Sequence, residues 1–495
     1  MNYAKRLHHL RSPTLSVKNL NKDVLECSYA VRGPILDAAM KIQEEITKGK
    51  SYPFKKIVSL NIGNPQALGQ IPLTFPREVL SLCINPTLIA KANIEQFFEE
   101  DAIERAKKYL STSVGLLGAY SNSQGLQVVR EEIAEFISKR DGFGSDLKNI
   151  FVTNGASDSV KLILQCLIRK DSKDGILTPI PQYPLYSALL TLFRGQFVPY
   201  SLNEDNWSIS AEKLAQIIES EREERGTIIR AICVINPGNP TGSILSENDI
   251  RSIIELAVEE NLVVIADEVY QENIYSKDHK FTSFKKIACE MGFLGESGDT
   301  RLQLVSLHSI SKGFTGECGL RGGYMELHGF DEDVKAQIYK LASINLCSNT
   351  VGQVMVGLMV NPPKVGDKSY GKYCAERNDM LSSLNRRSQA LYSLMNSLEG
   401  VTCNSIDGAL YAFPKLTVPR KAVEMAQQQN CTTDQYYCME MLQTSGVVLV
   451  PGSGFGQKSG NEIHIRTTFL PLEKDFPEVL QLIKSGHQSF MQKHA

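Results

Sequence analysis

Between Ile150 and Tyr324 the chain keeps repeating one arrangement: a short apolar run, a polar or glycine-containing break, and a stretch with helical periodicity. The runs are "NIFVTNG", "DGILTPIP", "RAICVINPG", "NLVVIADEVY" and "LQLVSLHSIS". This alternation is the signature of strands joined by crossover helices in a mostly parallel sheet. Between two of the runs, "SENDIRSIIELAVEEN" puts Ile250, Ile253, Ile254 and Ala257 on one helical stripe behind a capping-box-like start, Ser246 with Asp249.

After Pro362 the texture changes to long charged helical stretches such as "YGKYCAERNDMLSSLNRRSQALYSLMNSL". Short strand candidates follow in "GALYAFPKL", "GVVLVPG" and "EIHIRTTFL". The Pro-containing "NPPKVGDKSYG" is the most linker-like segment between the two textures. The expected organisation is an N-terminal arm with part of a small domain over residues 1–60, a large domain over 61–362 and a smaller α/β domain over 363–495.

Charge narrows the function. Lys and Arg number 53 against 55 Asp and Glu, so the net charge of -2 supplies no field to gather nucleic acid or anionic lipid. No run approaches the roughly 18 apolar residues of a membrane span, and small-molecule chemistry is the expectation. The 11 cysteines are odd in number and form no CxxC pair, which suits a reducing compartment and a cytoplasmic location. The basic segment carrying Lys5, Arg6, Arg11, Lys18 and Lys22 ahead of Asp23 leaves a mitochondrial targeting peptide as the alternative to a plain basic arm. The eight histidines lack metal-like pairing, so no metal site is expected.

Ligands of an open parallel sheet sit outside the carboxyl ends of the strands, so the residues that follow each apolar run matter most. In "FVTNGASDSVKLIL", Gly155 allows a tight turn, and Ala156 and Ser157 would offer amides at a helix N-terminus suited to a phosphate. Taken alone, the same residues make an ordinary turn with an N-cap. "RAICVINPGNPTGS" ends in a rigid turn that fixes Asn239 and has room for a cis peptide before Pro240. "VVIADEVYQ" delivers Asp267, Glu268 and Tyr270 together. A carboxylate leaving so apolar a strand needs a cationic partner to stay ionised, such as a protonated ring nitrogen, and taken alone these residues equally suit a helix N-cap or a structural ion pair. "LVSLHSISKGFTGECGLRGGY" runs a strand into Ser309, Ser311 and Lys312, then a glycine-spaced loop with Arg321. A lysine drawn into a partly desolvated site becomes a usable amine nucleophile for a carbonyl. The serines and Arg321 argue for a phosphate beside it.

A phosphate cradle, a carboxylate for a pyridinium, an aldehyde-capturing lysine and turn-held polar groups are the parts that pyridoxal phosphate requires. With "NPGNPTG", "ADEVYQ" and "SISKGFTGECGLRGG" in this order, the sequence resembles the fold-type I aminotransferases. "YAVRGP", "SLNIGNPQALGQ", "LGAYSNSQG", "PIPQYPLYSA" and "PGSGFGQ" sharpen the resemblance to the alanine aminotransferase family over roughly Thr14 to Pro471. One departure is "IGNPQ", where animal members commonly read "IGDAQ".

The resemblance implies an α/β fold-type I transferase: a large domain with a mostly parallel central sheet flanked by helices, plus a smaller α/β domain. It implies a homodimer that exchanges L-alanine and 2-oxoglutarate for pyruvate and L-glutamate by a ping-pong mechanism on pyridoxal 5'-phosphate. Other class I specificities, glutamate:glyoxylate or kynurenine, and a cofactor-binding regulatory protein are the alternatives. Lys312 then resembles the lysine that bonds the cofactor aldehyde and shuttles the α-proton. Asp267 resembles the partner of the ring nitrogen, and Asn239 and Tyr270 the partners of the phenolic oxygen. Tyr183 corresponds to the aromatic residue stacked on the ring, and Gly155, Ala156, Ser157, Ser309 and Arg321 to the phosphate cup. Tyr120 is expected to reach the phosphate of the neighbouring subunit, and Arg466 in "HIRTT" to grip the substrate carboxylate alongside Asn239.

Overall fold

The computed structural model describes residues 15–29, 33–112, 117–294, 301–458 and 460–495. The first 14 residues of the basic N-terminal segment and residues 30–32 of "YAVRGP" lie outside that set. Among the described residues, no helix is long and apolar enough to cross a membrane.

The apolar runs become a seven-stranded sheet of β1 (Ile150–Thr153), β2 (Asp174–Ile180), β3 (Gln196–Ser201), β4 (Ile228–Ile235), β5 (Val263–Asp267), β6 (Gln303–Ser309) and β7 (Gly323–His328), in spatial order β1-β7-β6-β5-β4-β2-β3. The block β6-β5-β4-β2-β3 is parallel throughout, and only β7 runs against its neighbours. Two of these strands are not announced by long apolar runs. The edge strand β3 is exposed at alternate positions and carries Pro199, which a sheet tolerates at its edge. The antiparallel β7 begins at Gly323, two residues after Arg321.

Register decides what meets at the carboxyl edge. Ile235 pairs with Asp267, Asp267 with Leu307, Ser309 with Gly323, and Gly323 with Thr153. Four motif-bearing strand ends therefore open at one edge of the sheet. Helices α1 (Ala156–Leu167), α2 (Leu185–Phe193) and α3 (Glu247–Glu259) belong to its crossovers. On α3 the capping box of Ser246 and Asp249 forms, and Ile250, Ile253, Ile254 and Ala257 are at most 1% exposed. Complete burial of each such isoleucine stabilises the layer by about 1.5–3 kcal/mol.

The 26-residue α4 (Tyr370–Met395) leads into an antiparallel sheet of short strands, β8 (Val401–Thr402), β9 (Tyr411–Ala412), β10 (Lys415–Thr417), β11 (Val450–Pro451) and β12 (Glu462–Thr468). The charged look of α4 conceals a buried stripe of Leu384, Arg387, Ser388, Leu391 and Met395. Arg387 stays satisfied there because its Nη1 donates to the carbonyls of Phe469 (3.0 Å), Leu470 and Pro471 (both 2.6 Å), which pins the chain just past β12. Val58–Ser59 pairs in parallel with Val447–Val448, and the Thr468 amide donates to the Leu60 carbonyl. These bonds feed residues 61–64 to the same edge.

Candidate active site

A cavity of about 350 Å³ opens at that edge. Its wall includes Ala156, Ser157, Tyr183, Asn239, Asp267, Tyr270, Ser309, Lys312, Arg321 and Arg466, so most of the residues singled out by the sequence converge on one space.

One end is built for an anion. Gly155 turns the chain at φ +89° and caps α1 with no side-chain hydrogen bond, leaving the first amides of the helix free to point outward. The Arg321 guanidinium lies across this turn, donating to the Asn154 carbonyl (2.8 Å), the Ser157 hydroxyl (3.3 Å), the Ser311 hydroxyl (3.4 Å) and the Cys318 carbonyl (3.1 Å). A side chain at that φ would be strained, and a Cβ on Gly155 would also come within 2.7 Å of Arg321 Nη2. Ser309 does something different. Its hydroxyl donates to the Gly322 carbonyl and accepts from the Ser311 amide, both at 3.1 Å, which shapes the loop that presents Ser311.

The acid stands at the end of β5. Asp267 is 7% exposed, and its Oδ2 accepts a hydrogen bond from the Tyr186 hydroxyl at 3.1 Å. Burial pushes this carboxyl up to about 6, opposed by the Tyr186 hydrogen bond, the Val269 amide and the charge of Lys312. Its Oδ1 is buried and has no protein partner. Such an oxygen in a cavity wall calls for a cationic N–H donor, which a protonated pyridine nitrogen provides. The residues therefore fit pyridoxal phosphate, with an anion cradle at one end and a donor-seeking carboxylate at another. Neighbouring Glu268 is absent from the cavity wall. Its Oε1 accepts from the Phe284 amide at 2.9 Å, and burial pushes its carboxyl up to about 8.

Lys312 and Arg466 supply the amine and the fork. Lys312 Nζ donates to the Gly63 carbonyl at 3.0 Å and lies 5.7 Å from the centre of the Tyr270 ring. Arg466, 2% exposed, donates from Nη1 to Asn239 Oδ1 (3.2 Å) and from Nη2 to the Asn61 carbonyl (2.6 Å), while its Nε has no partner. A surface ion pair is thereby excluded for it. The peptide before Pro240 is cis, as are those before Pro237 and Pro181. The Tyr183 hydroxyl shares a 3.0 Å hydrogen bond with that of Tyr29 from the N-terminal arm. Tyr120 stands apart from the cavity, 74% exposed on this chain.

Three groups escaped the sequence reading. Tyr186 is the third residue after Tyr183 in "PQYPLY", and the turn and first helical residues that present one also present the other. Gly63 and Tyr411 come from segments far apart in the chain. A Cβ on Gly63 would lie 1.8 Å from the Tyr411 hydroxyl, a contact that no spacing rule reveals.

The family model described as aminotransferase class I and II matches residues 77–480. Alanine aminotransferase 2 from Panicum miliaceum is 50% identical over 484 residues, covering 97% of this chain and 99% of that protein. Glutamate–glyoxylate aminotransferase 2 from Arabidopsis thaliana is 47% identical over 482 residues, covering 97% of each. Among solved structures, an alanine aminotransferase from Pyrococcus furiosus superimposes with a TM-score of 0.73 at 24% identity, over 95% of this chain and 100% of that one, a likeness of fold. With the match spanning both sheets and the cavity between their motifs, the chain belongs to the class I and II aminotransferases, enzymes that work with pyridoxal phosphate.

Proposed function

We propose that this aminotransferase takes L-alanine as amino donor and 2-oxoglutarate as acceptor, releasing pyruvate and L-glutamate. The observation that carries the reading is one cavity walled by an amine, an unpartnered buried carboxylate oxygen and a buried arginine fork, Lys312, Asp267 and Arg466. The 50% identity to an alanine aminotransferase over nearly the whole chain supports the choice of donor.

Pyridoxal phosphate supplies an aldehyde that captures amines and a ring that draws electrons from the substrate α-carbon. The amides of Ala156 and Ser157, following Gly155, hold its phosphate together with Arg321, on the loop that Ser309 braces. Asp267, restrained by Tyr186, would offer its unpartnered Oδ1 to the ring nitrogen, and in the low-dielectric wall that charge would favour the protonated nitrogen. Asn239 and Tyr270 bind the phenolic oxygen, and Tyr183 covers a ring face. Lys312 Nζ would bond the cofactor aldehyde and, as a free amine, would accept the proton from the substrate α-carbon and give it back. Arg466 binds the substrate carboxylate, and Asn239 and the Asn61 carbonyl hold the guanidinium plane so that the α-hydrogen is aimed for transfer. We assign the active form to a homodimer in which Tyr120 of the second chain reaches the phosphate. The free thiols favour a reducing compartment, the cytoplasm or, in the alternative, the mitochondrion.

A second reading, exchange between glutamate and glyoxylate, is favoured by the 47% identical Arabidopsis relative. Initial rates with each substrate pair separate the two. Alanine with 2-oxoglutarate is expected to give a kcat/KM at least about tenfold above that of glutamate with glyoxylate, and the reverse order reassigns the substrate.

A further inference from the structure

Tyr411 sits between the two groups that handle substrate, yet neither the motifs nor the phosphate and ring contacts give it a task. Strand β9 places it there. Tyr411 pairs with Thr468 of β12, so it lies diagonal to Arg466 two residues earlier on the same face, within reach of an aromatic ring and a long side chain. The Arg466 guanidinium carbon is 4.3 Å from the centre of the Tyr411 ring and 4.8 Å from that of Phe455. At this distance a desolvated cation is attracted by the negative face of the ring.

The other end of the residue faces the amine. A point on Gly63 that is 1.8 Å from the Tyr411 hydroxyl is 3.2 Å from Lys312 Nζ, so both groups crowd one small patch of backbone. The Tyr270 ring meets the Tyr411 ring edge-on at 6.2 Å. Burial by itself would raise the Tyr411 phenol, but the charges of Lys312 and Arg466 and the Tyr270 hydroxyl bring it below its ordinary value. A hydroxyl in such surroundings is a strong acceptor for an ammonium or amine.

We propose that Tyr411 is a positioning residue for transamination: its ring fixes the plane of Arg466, and its hydroxyl, beside the Gly63 carbonyl that accepts from Nζ at 3.0 Å, helps to dock the Lys312 amine whenever that amine is free. The inference rests on the roles proposed above for Lys312 and Arg466. A lysine has a long flexible stem, and an undocked Nζ would sample positions from which the α-proton is out of reach.

Two variants separate the halves of the proposal. Tyr411→Phe keeps the ring and removes the hydroxyl. In the holoenzyme its KM for alanine should stay within about threefold of wild type, kcat should fall by about tenfold to a hundredfold, and the isotope effect with Cα-deuterated alanine should rise. Tyr411→Leu removes both and should also raise KM by about tenfold or more. In the apoenzyme, pyruvate titrated by calorimetry should bind wild type and Tyr411→Phe alike and Tyr411→Leu about tenfold more weakly. A Tyr411→Phe enzyme with wild-type kcat and an unchanged isotope effect overturns the docking role. Wild type that binds pyruvate no more tightly than Tyr411→Leu overturns the ring's role. Tyr411→Phe preserves shape, so the first half is decided even if the leucine variant fails to fold. Alanine turnover by wild type, absent in Lys312→Ala, leaves the underlying reading standing whichever way Tyr411 falls.

Discussion

Burial holds the Asp267 carboxyl at about 6, above the 3.8 of an unperturbed aspartate, and this has a sign in stability. Between those two values the folded apoenzyme binds more protons than the unfolded chain, so stability falls as pH rises through the window, and the whole cost is present above about pH 6. Replacing Asp267 by Asn keeps the shape and removes the charge. The apoenzyme of that variant is expected to be more stable than wild type at about pH 8 by up to about 3 kcal/mol, with the difference gone below about pH 4, as read by urea unfolding. The same variant should lose about a hundredfold or more in kcat, because the charge is placed for the reaction and not for the fold. Lys312 and Asp267 were legible because each follows or ends an apolar strand, where a charged residue demands a reason, whereas Arg466 lies inside β12 and was legible through the resemblance of "HIRTT". Tyr186 and Tyr411 were not, since a tyrosine near apolar residues reads as core until its hydroxyl is seen to face a carboxylate or an amine.

At the scale of elements, the long apolar runs declared the inner strands and the capping box declared α3, because each is a local pattern. The edge strand β3 and the antiparallel β7 depend on what lies beside them, and the order of the sheet depends on contacts across more than a hundred residues. A buried ion pair shows the same limit. Lys285, on the helix Phe284–Glu290, is 1% exposed and donates at 2.9 Å to Glu326 Oε1 on β7, which is 0% exposed. Nothing in "SFKKIACE" distinguishes Lys285 from a solvated lysine. Lys285→Met is expected to destabilise the protein by about 3–5 kcal/mol in urea unfolding by leaving Glu326 without its lysine partner. The double variant Lys285→Met with Glu326→Leu should recover most of that loss. Equal loss in the single and double variants would show that the helix, and not the charge, is what Lys285 supports.

Over the whole molecule, two sheets and the segment at residues 58–64 meet at one cavity, so the site exists only when distant parts of the chain are joined. The assignment of Tyr120 to a neighbouring phosphate extends that logic to a second chain. Sedimentation equilibrium should give the mass of two chains, and Tyr120→Ala should weaken retention of pyridoxal phosphate by about tenfold without dissociating the dimer. A fully active monomer would remove the reason for Tyr120. The most direct measurement is pyruvate formed from L-alanine and 2-oxoglutarate by wild type and by Lys312→Ala, both shown folded by circular dichroism. Wild type should form pyruvate and L-glutamate in equal amounts, and the variant should lose more than about a thousandfold in rate. Turnover near wild type without the Lys312 amine would contradict the role of Lys312.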